Sequence, residues 1–191
     1  MDGYLALGKF KNITGRPYMK KFLTLFALAA FSLTAAAHGP TPQKIDEKIV
    51  IKAEPAKVWA MVKDYENVQK WLPTVESVKV EKKGNNIFRY LSLKSGGKVK
   101  EAIKEVDDEG MKIKFEVLEG GPFTNYNPYI SVKEGPGAGE TTVRYFHRFY
   151  RFFPNNPPIP EGQDEAAAIK FVKDTYGPGL ENLKKVLENS K

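Results

Sequence analysis

Three side chains of the kinds that move protons fall on segments whose alternation can bring them together: Glu101 in VKEAI, Tyr126 in TNYNPYI and His147 in RYFHRFY. A carboxylate and an imidazole that share an apolar cleft can exchange a proton, so the three are catalytic candidates. Packing competes as the explanation for each. A lone histidine on a strand is usually a hydrogen-bonded packing residue, and a strand glutamate can simply pair with a lysine or arginine across the sheet.

The elements that must position these groups follow from the apolar period. TTVRYFHRFYRFF, residues 141–153, alternates as one long strand, with Val143, Tyr145, His147 and Phe149 on one face and Arg144, Phe146, Arg148 and Tyr150 on the other. By the same rule Val99, Glu101 and Ile103 share a face, as do Tyr126, Pro128, Ile130 and Val132, so the three candidates can converge. Residues 77–133 read as successive antiparallel strands cut by glycine-containing turns, and residues 44–52 as a first strand. Between them Pro55 opens an amphipathic helix carrying Val58, Trp59, Met61, Val62 and Tyr65, followed by a shorter helix that Trp71-Leu72-Pro73 stops.

Near the C-terminus Asp164 caps a long helix whose apolar face is Ala168, Phe171, Val172, Tyr176, Leu180, Leu183, Val186 and Leu187, with Gly177-Pro178-Gly179 predicted to kink it. The fold class is α+β, a curved antiparallel sheet of about six or seven strands closed by that helix. Such a layout tends to enclose a cavity, here expected to be lined by Trp71, Tyr90, Glu101, Phe115, Tyr126, Tyr145, His147, Phe149 and Phe171.

Composition narrows the chemistry. The 191 residues contain no cysteine, which removes disulfides, thiolate metal sites and thiol catalysis, and only two histidines, which leaves little for a transition metal. No Ser-His-Asp order or calcium-loop spacing occurs, and the glycine-rich pieces at 94–98 and 135–139 lack the following helix that a phosphate cradle requires. No metal and no cofactor are expected.

The charge of +7 is concentrated at the front of the chain. Lys9, Lys11, Arg16, Lys20 and Lys21 against Asp2 give residues 1–37 a net of +4, leaving +3 on the remainder, where signs alternate without a basic cluster. Nucleic acid is therefore not an expected partner. Met19–Ala37 has a basic start, an apolar run and Ala35-x-Ala37, the form of a secretory signal cut after Ala37. Residues 1–18 read as a misplaced start or a long n-region, and 38–191 as one domain in the periplasm, with no stable membrane insertion after cleavage.

The string AEPAKVWAMVKDYENVQKWLPTVESVKV carries A-x-P-x-x-V-W from Ala53 to Trp59, the pair Asp64-Tyr65, and W-x-P at Trp71 and Pro73. It resembles the opening of the START-like, Bet v 1-like helix-grip superfamily, also labelled SRPBCC or polyketide cyclase/dehydrase. The likeness continues through Lys98–Glu105, Asn125-Tyr126 and Gly179–Lys185, and implies a sheet wrapped around the C-terminal helix. Pro178 departs from the pattern. With HGPTPQK at 38–44, the Pro-Pro loop and Asp164-Glu165-Ala166-Ala167, the chain is similar to MxaD-type proteins, periplasmic accessories of bacterial methanol oxidation. That likeness implies methanol dehydrogenase and its c-type cytochrome as partners.

A surface for such a partner is also readable. Arg144, Arg148, Tyr150 and Phe152 run into a proline loop containing Pro157 and Pro158, and arginine and aromatics anchor interfaces while a stiff loop loses little entropy on docking. Solvation of an outer face explains the same residues. A carrier of a small hydrophobic ligand and a cyclase or dehydratase enzyme stand as the alternatives.

Overall fold

Alternation of apolar and polar residues builds eight strands in the computed structural model, which describes residues 39–189; the extension, the signal segment and its cut after Ala37 lie outside the described residues. The chain runs β1 (Gln43–Ile51), α1 (Pro55–Val62), a single 3-10 turn (Val68–Lys70), β2 (Val75–Lys83), β3 (Asn86–Leu93), β4 (Lys98–Asp107), β5 (Lys112–Glu119), β6 (Phe123–Thr124), β7 (Tyr129–Glu134), β8 (Thr141–Arg151), α2 (Glu165–Tyr176) and α3 (Pro178–Asn189). Strand order is β1-β8-β7-β5-β4-β3-β2, every pairing antiparallel, with the two-residue β6 beside β8. This is the α+β helix-grip fold. β6 was not anticipated, because two residues carry no periodicity to read.

Each long strand presents one face to the helices and one to the outside. In β8, Val143, Tyr145, His147 and Phe149 are buried, while Arg144, Phe146, Arg148 and Tyr150 are on the outer side. In β4 the register shifts between Lys100 and Glu101 and again between Ile103 and Glu105. Such bulges re-aim side chains. Glu101 and Ala102 are both buried as a result of this irregular course.

The helices are held by caps and by proline placement. Pro55 occupies the start of α1, where its missing N–H costs nothing, and Trp59 donates its indole N–H to Asp108 in the β4–β5 turn at 2.8 Å. Asp164 caps α2 by accepting from the Ala167 N–H at 2.7 Å. The kink expected at Gly177-Pro178-Gly179 is a bend between two helices. Gly177 keeps α-helical angles and donates to Lys173 O at 3.0 Å, and Pro178 opens α3, so its lack of an N–H falls in a first turn.

Past the bend, α3 lies against Trp71. Asn182 donates to Trp71 O at 3.0 Å, Lys184 to Val50 O at 3.0 Å, and Glu188 accepts from the Lys52 N–H at 2.9 Å. A Cβ at Gly179 would lie 2.9 Å from the Trp71 ring and 3.1 Å from Leu72 Cδ1, so the helix can sit this close only without a side chain there. Because Trp71 and Leu72 are buried and cannot swing away, Gly179→Val is expected to cost about 1–3 kcal/mol despite valine's better helix propensity. Urea denaturation measures it, and an unchanged midpoint would contradict the close packing.

Candidate functional site

The interior side of the sheet carries a polar cluster inside an aromatic one. Glu101 is 1% exposed and Arg89, opposite it on β3, is 2% exposed. Arg89 Nε donates to Glu101 Oε2 at 2.5 Å, and the hydroxyl of Tyr176 on α2 donates to Glu101 Oε1 at 3.0 Å. Arg89 also donates to Tyr65 O at 3.4 Å and lies over the Phe115 ring, 4.6 Å from its centroid. One carboxylate thus joins β3, β4 and α2, with both charges and both carboxylate oxygens satisfied.

A second unit surrounds His147. The Tyr126 hydroxyl and His147 Nδ1 are 2.6 Å apart, and Glu47 of β1 places Oε2 at 3.6 Å from His147 Nε2. Burial pushes the imidazole below its ordinary value, against the opposing pull of Glu47, so the ring is neutral near pH 7. The same burial pushes the phenols of Tyr126, Tyr145 and Tyr176 upward, assisted in each by Glu101, and keeps them protonated. The consistent assignment has Tyr126 donating to Nδ1 and the proton of the ring on Nε2, facing the Glu47 carboxylate.

The sequence candidates are therefore brought to one interior but not into one chain of proton transfer. Tyr126 and His147 touch. Glu101 is bound to Arg89 and Tyr176, and the carboxylate that faces His147 is Glu47 instead. Arg89, Glu47, Tyr176 and Arg151 are the functional-looking residues that sequence reasoning missed. Parity on β3 held the signal for Arg89, which shares a face with Leu91 and Leu93. That same parity corrects Tyr90. It lies on the outer face with its hydroxyl donating to Glu81 at 3.2 Å, away from the interior it was expected to line.

Trp71, Phe115, Tyr126, Tyr145, His147 and Phe149 are buried, and Phe171 is half-buried and packs edge-on against Phe123 at 5.5 Å. Their rings pack on one another between sheet and helices: Tyr145 on His147 at 4.1 Å, Tyr126 edge-on to Phe149 at 5.3 Å, Trp71 edge-on to Tyr145 at 6.3 Å. Two buried donors in this region, Trp71 Nε1 and His147 Nε2, have no hydrogen-bond partner among the described residues. Grooves of about 470 and 600 Å³ open on the outer face of the sheet. Among the described residues no three His, Asp or Glu side chains are grouped to hold a metal.

Outside, Arg144 makes a two-point contact with Asp46, at 2.7 and 2.8 Å. Arg148 is exposed, with Nη2 3.5 Å from the Tyr150 hydroxyl, and Phe152 is 49% exposed. Pro157 and Pro158, joined by a cis peptide, are exposed in the loop that follows. The buried Arg151 holds this loop, donating to Phe153 O at 2.8 Å, Asn155 O at 2.7 Å and Glu165 at 2.5 Å.

The family described as polyketide cyclase/dehydrase and lipid transport matches residues 42–188. Among solved structures the chain is similar to the protein XoxI from Bacillus cereus, at 23% identity and TM-score 0.63 over 76% of this chain and 96% of that one. It is also similar to the Zhui aromatase/cyclase from a Streptomyces species, at 12% identity and TM-score 0.59 over 78% and 92% of the two chains. A truncated norcoclaurine synthase from Thalictrum flavum aligns at 15% identity and TM-score 0.59 over 81% and 99%. Likeness at these identities establishes the fold alone. No curated protein matches.

Two outcomes follow from the interior geometry. Arg89→Met leaves Glu101 buried without its counter-charge and is expected to cost about 3–5 kcal/mol by chemical denaturation; a loss under about 1 kcal/mol would mean that the pair is dispensable. His147 contributes stability that is full above its ordinary value of about 6.5 and declines as pH falls toward the depressed folded value, because the unfolded chain takes up the proton first. His147→Gln should therefore flatten the fall in stability between about pH 7.5 and 5.5, and an equally steep fall in the variant would contradict a buried neutral ring.

Proposed function

The chain belongs to the polyketide cyclase/dehydrase and lipid transport family, and from that premise we propose that it works as a binding protein, a periplasmic accessory of methanol oxidation that docks on methanol dehydrogenase or its c-type cytochrome. The observation that carries this reading is the division of labour along β8. Inward residues are committed to packing, whereas Arg148, Tyr150 and Phe152 stand outward beside a loop that Arg151 pins at three points. Phe152 is the most exposed of the large apolar side chains described. Arginine and aromatic side chains next to a pre-ordered loop are what a transient interface needs, since little freedom is lost on docking.

Supporting this reading are the MxaD-type features of the sequence and the similarity to XoxI. The location outside the cytoplasm rests on the signal-like segment 19–37, and no helix among the described residues is long and apolar enough to cross a membrane. A second reading, a carrier of a small hydrophobic molecule, is favoured by one observation: the buried Trp71 Nε1 donor, without a hydrogen-bond partner among the described residues, would suit a carbonyl or hydroxyl oxygen brought in by a guest. An enzyme built on Glu101, Tyr126 and His147 has less support, because Glu101 is occupied by Arg89 and Tyr176.

Recovery of the tagged protein with its partners from a periplasmic extract of methanol-grown cells tests the proposal, at low and high salt, with mass spectrometry of proteins and small molecules. A dehydrogenase or c-type cytochrome is expected at low salt and lost at high salt, because rim charges are screened. Arg148→Glu should lower that recovery severalfold without changing the fold. A small molecule recovered alone would favour the carrier, and recovery of neither protein would overturn the accessory role.

A further inference from the structure

Charge is distributed unevenly over the outer face of the sheet. On the β3–β5 side Lys100, Lys104 and Lys114 are each paired across strands, with Glu119 at 3.0 Å, Glu116 at 3.2 Å and Glu105. On the other side the registers line up a different row. Lys48 of β1 is opposite Arg144 of β8, Arg144 opposite Ser131 of β7, and Ser131 opposite Lys112 of β5, while Lys133 and Thr142 face each other on the next rung.

Asp46 answers this row, and it is taken by Arg144. Lys48, Lys112 and Lys133 have no carboxylate within 4.0 Å among the described residues. Like charges placed directly opposite one another destabilise a strand pair, and Lys48 and Arg144 are so placed. Three lysines on the β3–β5 side are answered by carboxylates on neighbouring strands, whereas Lys48, Lys112 and Lys133 on this side are not.

These side chains surround the groove of about 600 Å³, together with Gly110 and Tyr129. Its floor is ordered: Tyr129 stacks on Phe146 at 5.2 Å, the Lys112 ammonium lies 4.4 Å from the Tyr129 centroid, and the Arg144 guanidinium lies over both rings. Ser131, although on the outer face, is only 9% exposed beneath the basic side chains. The hydroxyls of Ser131 and Thr142 add donors between the cations.

We propose that this groove binds an extended acidic segment of a partner protein, several carboxylates at once. The proposal rests on the docking reading above and names the chemistry of the partner's contact. Size decides between a polyanion and a single ion. Four adjacent strands at about 4.8 Å spacing spread the row over about 14 Å, further than one phosphate can reach. An extended chain with acids at alternate residues places carboxylates about 7 Å apart on one side, which spans such a row in about five residues. Tyr129 supplies apolar contact for the intervening stems, and Lys112 and Lys133 supply the unpaired charge.

The test is a nuclear magnetic resonance titration of the purified protein with an alternating Glu-Ala octapeptide, its Gln-Ala counterpart and inorganic phosphate at matched low ionic strength. The acidic peptide is expected to shift amides of β1, β5, β7 and β8 around the groove, the neutral peptide to shift none, and phosphate to bind at least tenfold more weakly. Lys112→Gln with Lys133→Gln should weaken the acidic peptide at least tenfold, and Lys133→Glu alone, at an exposed position, should act in the same direction. Undiminished peptide binding by these variants, shifts confined to residues 152–160, or phosphate binding as tightly as the peptide would overturn the proposal. The two readings fail separately. A double variant that still captures dehydrogenase or cytochrome at wild-type level sinks the groove and spares the docking role, whereas a wild type that captures neither sinks the docking role and leaves the peptide titration to decide the groove.

Discussion

A buried carboxylate beside a buried guanidinium is the constraint on which the rest of this structure depends. Neither Glu101 nor Arg89 can be left alone in an apolar interior, and each finds the other at 2.5 Å. The remaining carboxylate oxygen then requires a donor, which Tyr176 provides from α2. The position of the helix against the sheet is thereby specified by a hydrogen bond as well as by apolar packing. The ring of Phe115 beneath Arg89 and the carbonyl of Tyr65 beside it complete a cluster that ties three strands, the helix and the segment after α1 together.

How much of this was legible in the sequence depends on the range of the interaction. Local signals were sufficient for the two faces of β8, the Asp164 cap, the Pro55 helix start and the bend at Pro178, because each is decided by neighbours a few residues away. Pairing between distant strands was not legible. Parity showed that Glu101 and His147 point inward, but only the register between β3 and β4 reveals that Glu101 meets Arg89, and only the β1–β8 pairing brings Glu47 to His147. Tyr90 was misplaced because residue type and parity disagree on β3: aromatics occupy Phe88 and Tyr90, yet Arg89, Leu91 and Leu93 take the interior. The bulges in β4 further obscure the count. The basic groove was invisible for the same reason, since its cations come from four strands and form no run in the chain.

The two sides of the sheet have separate duties. Rings packed on one another on the inner side hold β8 in place, and the outer residues that alternate with them are positioned by the same packing. Arg151 extends the same principle to the following loop by fixing two carbonyls and the first residue of α2. In the proposed function, the fold of a family described as polyketide cyclase/dehydrase and lipid transport serves as a scaffold whose exterior does the recognising.

The central claim is that this exterior docks on a redox partner. Hydrogen-exchange mass spectrometry of the protein alone and mixed with purified methanol dehydrogenase and its c-type cytochrome tests it most directly, because slowed amides report where contact occurs. The account predicts new protection in residues 152–163 and on the outer strands beside β8, with α2 and α3 unchanged. Exchange that is identical with and without both partners, or protection confined to the helices, would contradict it.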